Sequence, residues 1–160
     1  MAALEIQRLG PGDVDRMREL NALFAVAFDD AESYAAAPPD ESYLARLLAK
    51  SEFFALVAVD NGVIVGGLAA YRLDKFEQAR AEIYIYDLAV AVTHRRQGAA
   101  SALIGRLREI AAEQGVWVIY VQADHGDDAA VALYTRLGVR EDVMHFDIAV
   151  RPKAVSTDRR

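Results

Sequence analysis

A chain of 160 residues, 54% apolar and 26% charged, has the size and composition of one soluble globular domain with a core of its own. It has no cysteine, which excludes disulfides, thiolate nucleophiles and Cys-based zinc sites, and its histidines (His94, His125, His145) lack metal-binding spacing, so no metal is expected. A net charge of −6 argues against a nucleic-acid partner and permits a cationic ligand.

The start "MAALEIQRLG" has no signal-peptide pattern, and no apolar run reaches the ~18 residues of a membrane span, so a cytoplasmic protein without membrane association is expected. Residues 4–9 alternate like a short strand, and Asp13 is placed to cap a helix running to about Phe28. "DDAESYAAAPPD" (29–40) reads as a loop closed by Pro38-Pro39, and Asp40 as the cap of a second helix to Lys50. In "FFALVAVDNGVIVGGLAAY", Asn61-Gly62 between two β-branched runs predicts a hairpin. "EIYIYDLAVAV" (82–92) is a long strand. The next helix, from about Gly98 to Gln114, carries Leu103, Ile104, Leu107, Ile110 and Ala111 at core-facing spacing. "VWVIYVQA" (116–123) reads as a buried strand, "DHGDD" as a turn, and "AAVALYTRL" as a helix stopped by Gly138. "VREDVMHFDIAV" predicts a final strand or strand pair, with Trp117 and Phe146 in the core. Residues 1–150 are expected to form one α/β domain with a mixed sheet and helices on both faces, and the polar stretch 151–160 is expected to fray.

The junction at 94–100, His-Arg-Arg-Gln-Gly-Ala-Ala, joins an apolar strand to an amphipathic helix. A helix start offers unpaired N–H groups to an anion, and Gly98 with Ala99 and Ala100 lets a phosphate come close to them. Arg95 and Arg96 add positive charge, and Gln97 completes the turn. A plain strand-to-helix turn with solvated arginines is the competing reading. The stretch lacks the GK[ST] ending of a P-loop and the GxGxxG of a dinucleotide fold.

"LAVAVTHRRQGAASALI" resembles the acetyl-CoA signature R/Q-x-x-G-x-G/A of the GCN5-related N-acetyltransferases, and "DDAAVALYTRLGV" resembles that family's second motif, with Asp127 where Asn is usual. "FEQARAEIYIYDLAV", "VIYVQADHGDDAAVALYTRLG" and "REDVMHFDI" are similar to the type I aminoglycoside 3-N-acetyltransferases, over roughly residues 8 to 148. The resemblance implies a mostly antiparallel sheet of six or seven strands, splayed at 87–91 and 118–123. It implies acetyl-CoA in the splay, its pyrophosphate on residues 95–100 with Asp127 on the cofactor side, and its pantetheine arm paired with the backbone of Leu88, Ala89 and Val90. It also implies a homodimer, and acetylation of the 3-amino group of a polycationic aminoglycoside, which confers antibiotic resistance.

Asp87 interrupts an apolar strand, where a carboxylate is costly unless it is paired or faces a cleft, so it is a candidate base that binds the incoming ammonium. A structural carboxylate satisfied by nearby N–H groups is the alternative. Tyr134 stands where the family places the acid for the leaving thiolate, although a core aromatic on that helix explains it too. Glu82, Tyr86, Asp124 and His125 are candidate acceptor contacts, with Glu82 the second choice of base; Asp127 also reads as a helix cap. The rival functions are acetylation of a polyamine or protein amine, and a non-catalytic acyl-CoA-binding regulator.

Overall fold

The computed structural model describes residues 3–151, which fall into two compact units, one ending at Gln122 and one beginning at Ala123. The rest of the predicted frayed tail, after Arg151, lies outside the described residues.

The first unit is built on a five-stranded sheet in the order β1-β2-β3-β4-β5, formed by Glu5–Arg8, Phe53–Asp60, Val63–Asp74, Ala81–Val90 and Val118–Val121. The first four strands are antiparallel neighbours, and β5 joins β4 in parallel. The expected mixed, mostly antiparallel sheet flanked by helices is therefore present, with five strands among the described residues rather than six or seven. Asn61 and Gly62 both have positive φ (48° and 83°), as a two-residue hairpin turn requires.

Strand β2 is buried from Phe53 to Val59, so both faces of the sheet are covered. Its odd-numbered residues (Phe53, Ala55, Val57, Val59) join one cluster with Leu20 and Phe24 of helix α1 (Val14–Ala27) and Leu44 and Leu48 of helix α3 (Glu41–Leu48). Its even-numbered residues point the other way, toward helix α4 (Ala99–Glu113), which buries Leu103, Leu107, Ile110 and Ala111 as their spacing predicts. No helix among the described residues is long and apolar enough to cross a membrane.

Several local expectations differ. Residues 31–36, read as loop, form a short helix α2 (Ala31–Ala36), because the Asp30 carboxylate accepts a hydrogen bond from the Ser33 N–H at 3.3 Å and alanines favour the helix up to the prolines. Asp40 caps α3 as expected, accepting from the Tyr43 N–H at 2.8 Å. Asp13 occupies the cap position of α1, but its carboxylate turns back to the Gly10 N–H at 2.8 Å. Trp117 is 53% exposed rather than core, with the Arg80 guanidinium 3.9 Å above its ring.

The second unit contains helix α5 (Asp128–Leu137), capped by Asp127, whose carboxylate accepts from the Ala130 N–H at 3.1 Å. The predicted final strand is absent among the described residues: 139–150 carries no strand pairing, and Phe146 is 74% exposed. The alternation of Met144, Phe146, Ile148 and Val150 is strand-like, but a strand exists only where its N–H and C=O groups meet a neighbouring edge.

Helix α1 lies close against β3 because Gly67 has no side chain. A Cβ there would collide with Leu20 Cδ1 and sit 2.8 Å from the Leu56 carbonyl oxygen. Gly67→Ala is expected to destabilise the fold by about 1–3 kcal/mol, read as a lower urea midpoint at unchanged slope.

Candidate active site

Strand β4 would place Asp87 on the same face as Ile83 and Ile85, under α4, if it alternated regularly. It does not. Ala69 pairs with Asp87 and Ala70 with Ile85, so Tyr86 is an extra residue, a β-bulge. The bulge resets the alternation and turns Asp87 to the α1–α3 face, that of its partner Ala69. There Asp87 and Tyr86 both line a cleft of about 220 Å³ with Asn21, Tyr34, Tyr43 and Tyr71.

Among the described residues no hydrogen-bond donor reaches the Asp87 carboxylate, and partial burial raises its pKa from 3.8 to about 6. Among the described residues it is the one carboxylate lining the cleft. Tyr34, on α2, is held far above the ordinary phenol value, first by burial and then by the charges of Asp87, Asp30 and Tyr86. Burial raises the Tyr71 phenol as well. Tyr34, Tyr43 and Tyr71 were not singled out from the sequence. Tyr34 lay in a stretch read as loop, and Tyr71 lies at the end of an apolar strand run.

The bulge coincides with a parting of strands. Pairing between β4 and β5 runs from Glu82–Val118 to Ile85–Val121 and stops there. The splay on β4 therefore starts at residue 86, while 118–121, expected to be splayed, are hydrogen-bonded. The Ala91 N–H donates to the Val65 carbonyl on β3 at 2.8 Å. Backbone groups alternate along a strand, so Ala89 and Asp87 also turn theirs to β3, and Leu88 and Val90 turn theirs to the open edge. Ala89, expected with its neighbours to pair with a ligand, thus presents its N–H to β3. The Val90 carbonyl accepts from Arg95 Nε at 3.2 Å, which leaves the Leu88 and Val90 N–H groups and the Leu88 carbonyl facing outward.

From Ala91 the chain makes a single 3-10 turn (Val92–His94) and enters α4 through Arg96 and Gly98, both left-handed (φ 59° and 86°). Gly98 has no side chain to cap α4, so the N–H groups of Ala99, Ala100 and Ser101 have no cap from it. The turn is anchored twice. Gln97 Nε2 donates to the Thr93 carbonyl at 3.2 Å, and His94 Nε2 lies 3.1 Å from Asp60 Oδ2 beside the Asn61-Gly62 turn. A glycine-gated helix start beside two arginines, next to an open strand edge, suits an extended ligand with a phosphate at one end and an amide-bearing arm at the other.

Glu82 lies at the far end of β4, five residues or about 16 Å of strand from Asp87, with Lys75 Nζ 3.6 Å from its carboxylate. In the second unit, Asp124 and His125 lie in the turn before α5, and the Asp124 carbonyl accepts from the Asp127 N–H at 3.2 Å. Burial, with the Asp127 charge beside it, pushes the Tyr134 phenol up to about 12, so it stays protonated at neutral pH.

A model of the acetyltransferase (GNAT) family matches residues 15–139 of the chain. The chain belongs to that family. Its acetyltransferase relatives include an aminoglycoside acetyltransferase, HMB0005, from an uncultured soil metagenomic sample; the two share 53% identity over 94% of this chain and all of that one, with a TM-score of 0.91. A second metagenomic aminoglycoside acetyltransferase, meta-AAC0020, solved in complex with sisomicin, is 33% identical over 92% of this chain and 97% of its own, with a TM-score of 0.86. The uncharacterized N-acetyltransferase YhfO of Bacillus subtilis is 26% identical over 71% of this chain and 77% of its own. A match to the rat N-acetyltransferase family 8 member 2 covers 56% of this chain and only 40% of that protein.

GNAT enzymes use acetyl-CoA. The helix start at Gly98 and the outward N–H groups of Leu88 and Val90 fit its phosphate and pantetheine parts respectively.

Two outcomes are expected here. A side chain at Gly98 must adopt a left-handed φ at about 1–2 kcal/mol, so Gly98→Ala is expected to weaken acetyl-CoA binding roughly tenfold by calorimetry. The raised pKa of Asp87 means that folding disfavours its ionised form: stability tied to this group is complete below pH 3.8 and is lost as the pH rises through about 6. Asp87→Asn is therefore expected to raise stability at pH 7.5 by about 1 kcal/mol after allowance for solvent screening of this half-buried group. The gain shrinks toward zero as thermal melts are repeated down to pH 4.

Proposed function

We propose that the protein acetylates an aminoglycoside, at the 3-amino group of its deoxystreptamine ring, by direct attack of the amine on the thioester of acetyl-CoA. The observation that carries this reading is Asp87: a lone carboxylate with a pKa near 6, turned by a bulge into an aromatic cleft where the strand edge opens. The two metagenomic relatives named as aminoglycoside acetyltransferases support the acceptor class. The 3-amino position comes from the motif resemblance alone. Acetylation of the drug would confer resistance, and we place the enzyme in the cytoplasm as a homodimer.

Acetyl-CoA, when bound, supplies an activated acetyl group. Residues 95–100 hold its phosphates, through the N–H groups that open α4 and the charges of Arg95 and Arg96. The Leu88 or Val90 N–H donates to the thioester oxygen as it gains charge. Asp87 draws the acceptor ammonium into the cleft and takes its proton, directly or through a water. A carboxylate with a pKa near 6 is about nine-tenths ionised at pH 7, and its proton affinity exceeds that of an ordinary aspartate. Tyr134 remains a phenol at neutral pH and donates to the departing thiolate. Asp124 and His125 add acceptor contacts, and Asp127 orders the start of α5 on the cofactor side.

Release of free CoA thiol, followed with gentamicin, kanamycin and spermidine as rival acceptors, tests the reading. Turnover with an aminoglycoside is expected to fall at least tenfold in Asp87→Asn and in Tyr134→Phe. Turnover with spermidine alone would keep the chemistry and remove the aminoglycoside. For the wild type, kcat/KM is expected to fall about tenfold per pH unit below about 6, because the base is then protonated, and Asp87→Asn is expected to lose that limb.

A further inference from the structure

The cleft around Asp87 does not end at its rim. Phe53 of β2, Tyr71 of β3, Tyr84 of β4 and Tyr120 of β5 lie in one register line across four strands: Phe53 pairs with Tyr71, Tyr71 with Tyr84, and Tyr84 with Tyr120. Residues in register share a face, so this row lies on the face that carries Asp87. The rings form a connected series. Phe53 and Tyr71 are 5.1 Å apart, Tyr71 and the bulged Tyr86 6.1 Å, Tyr86 and Tyr84 5.8 Å, and Tyr84 and Tyr120 4.9 Å.

A row of aromatics that served only as core would be covered. This one is wet. Tyr71 is 39% exposed, Tyr86 51% and Tyr120 38%. Polar groups border it: the Tyr84 hydroxyl donates to Gln122 Oε1 at 2.9 Å, and the Tyr120 phenol is raised first by burial and then by the nearby Glu82 charge, which Lys75 partly offsets. Asp87 and Glu82 both belong to β4 and flank the row on opposite sides along that strand, the Asp87 charge acting on the Tyr71 phenol and the Glu82 charge on the Tyr120 phenol.

Tyrosines suit an amino-sugar ligand. Their ring faces take apolar sugar C–H edges and attract ammonium groups, their hydroxyls bond to sugar hydroxyls, and with two side-chain torsions each they lose little entropy on binding. A lipid or apolar peptide would make no use of the hydroxyls or the two carboxylates.

We propose that this row is an acceptor subsite continuous with the reaction cleft. Tyr71 and Tyr86 flank the ring that bears the reacting amine, while Tyr84 and Tyr120 receive the next amino-sugar ring, with one of its ammonium groups directed to Glu82. The proposal rests on the aminoglycoside reading and adds to it a reason for selecting a multi-ring acceptor over a single ring or a linear polyamine. Glu82 is then a specificity residue rather than a base, consistent with its separation from Asp87 along the strand.

The test compares kanamycin, which has three rings, with 2-deoxystreptamine, which has one, as acceptors for the wild type, Tyr120→Leu, Tyr120→Phe and Glu82→Gln. Removal of the outer ring in Tyr120→Leu is expected to raise KM for kanamycin about fivefold to tenfold, the size of one aromatic contact to a cationic sugar. kcat, and KM for acetyl-CoA and for 2-deoxystreptamine, should stay within twofold, and Tyr120→Phe should retain most of the kanamycin affinity. Glu82→Gln should raise KM for kanamycin by about threefold, with a weaker dependence on salt; this variant keeps the question open to test if Tyr120→Leu does not fold. Wild-type turnover of kanamycin with KM unchanged in both Tyr120→Leu and Glu82→Gln, or an equal loss on 2-deoxystreptamine, overturns the subsite and leaves the aminoglycoside reading standing. Acetylation of spermidine and of neither ring compound overturns the aminoglycoside reading itself, and the sugar subsite with it.

Discussion

One extra residue in a strand governs this molecule. The bulge at Tyr86 reverses the in–out alternation of β4, and every side chain beyond it changes face relative to a regular strand. Without it Asp87 would point with Ile83 and Ile85 into the apolar layer beneath α4, where an ionised carboxylate is costly. With it, the carboxylate emerges on the α1–α3 face in a cleft walled by tyrosines. The same point marks the end of the β4–β5 pairing, so the cleft carboxylate and the open backbone edge arise within a few residues of one another.

Support for that arrangement comes from groups that never face a ligand. Gly67 lets α1 settle against β3 and bring Asn21 and Phe24 to the cleft. The His94–Asp60 contact ties the turn before α4 to the β2–β3 hairpin, so the helix start at Gly98 is positioned by the sheet itself. A further tie runs through Arg95, whose Nε donates to the Val90 carbonyl and joins the strand edge to the turn before α4. A rigid sheet thus supplies the fixed frame against which a glycine-gated helix start and a strand edge can act as one binding surface.

Much of this was legible residue by residue. The apolar spacing of Leu103, Leu107 and Ile110 marked α4 because a buried helix face must repeat every three or four residues. Asn61-Gly62 marked the hairpin because both positions need positive φ. Helix α2 was hidden behind Pro38-Pro39, since a short helix stabilised by one cap has too few residues to make a periodic signal. The segment 139–150 misled in the opposite direction: its alternation is strand-like, but alternation describes side chains, whereas a strand is made by its neighbours' hydrogen bonds. Trp117 looked like core because it is large and apolar, yet its indole face serves the Arg80 guanidinium at the surface.

By itself, the sequence determined the family, the element order and the chemical groups, because motif spacing, periodicity and turn chemistry are local and survive without coordinates. It identified Asp87 as anomalous but could not say which way the carboxylate faced. That depended on a pairing shift between two strands, visible only when Ala69 and Ala70 find their partners. Tertiary structure alone also aligned Phe53, Tyr71, Tyr84 and Tyr120, which lie up to 67 positions apart in the chain, into one row, because cross-strand register is a relation between segments that no single segment encodes.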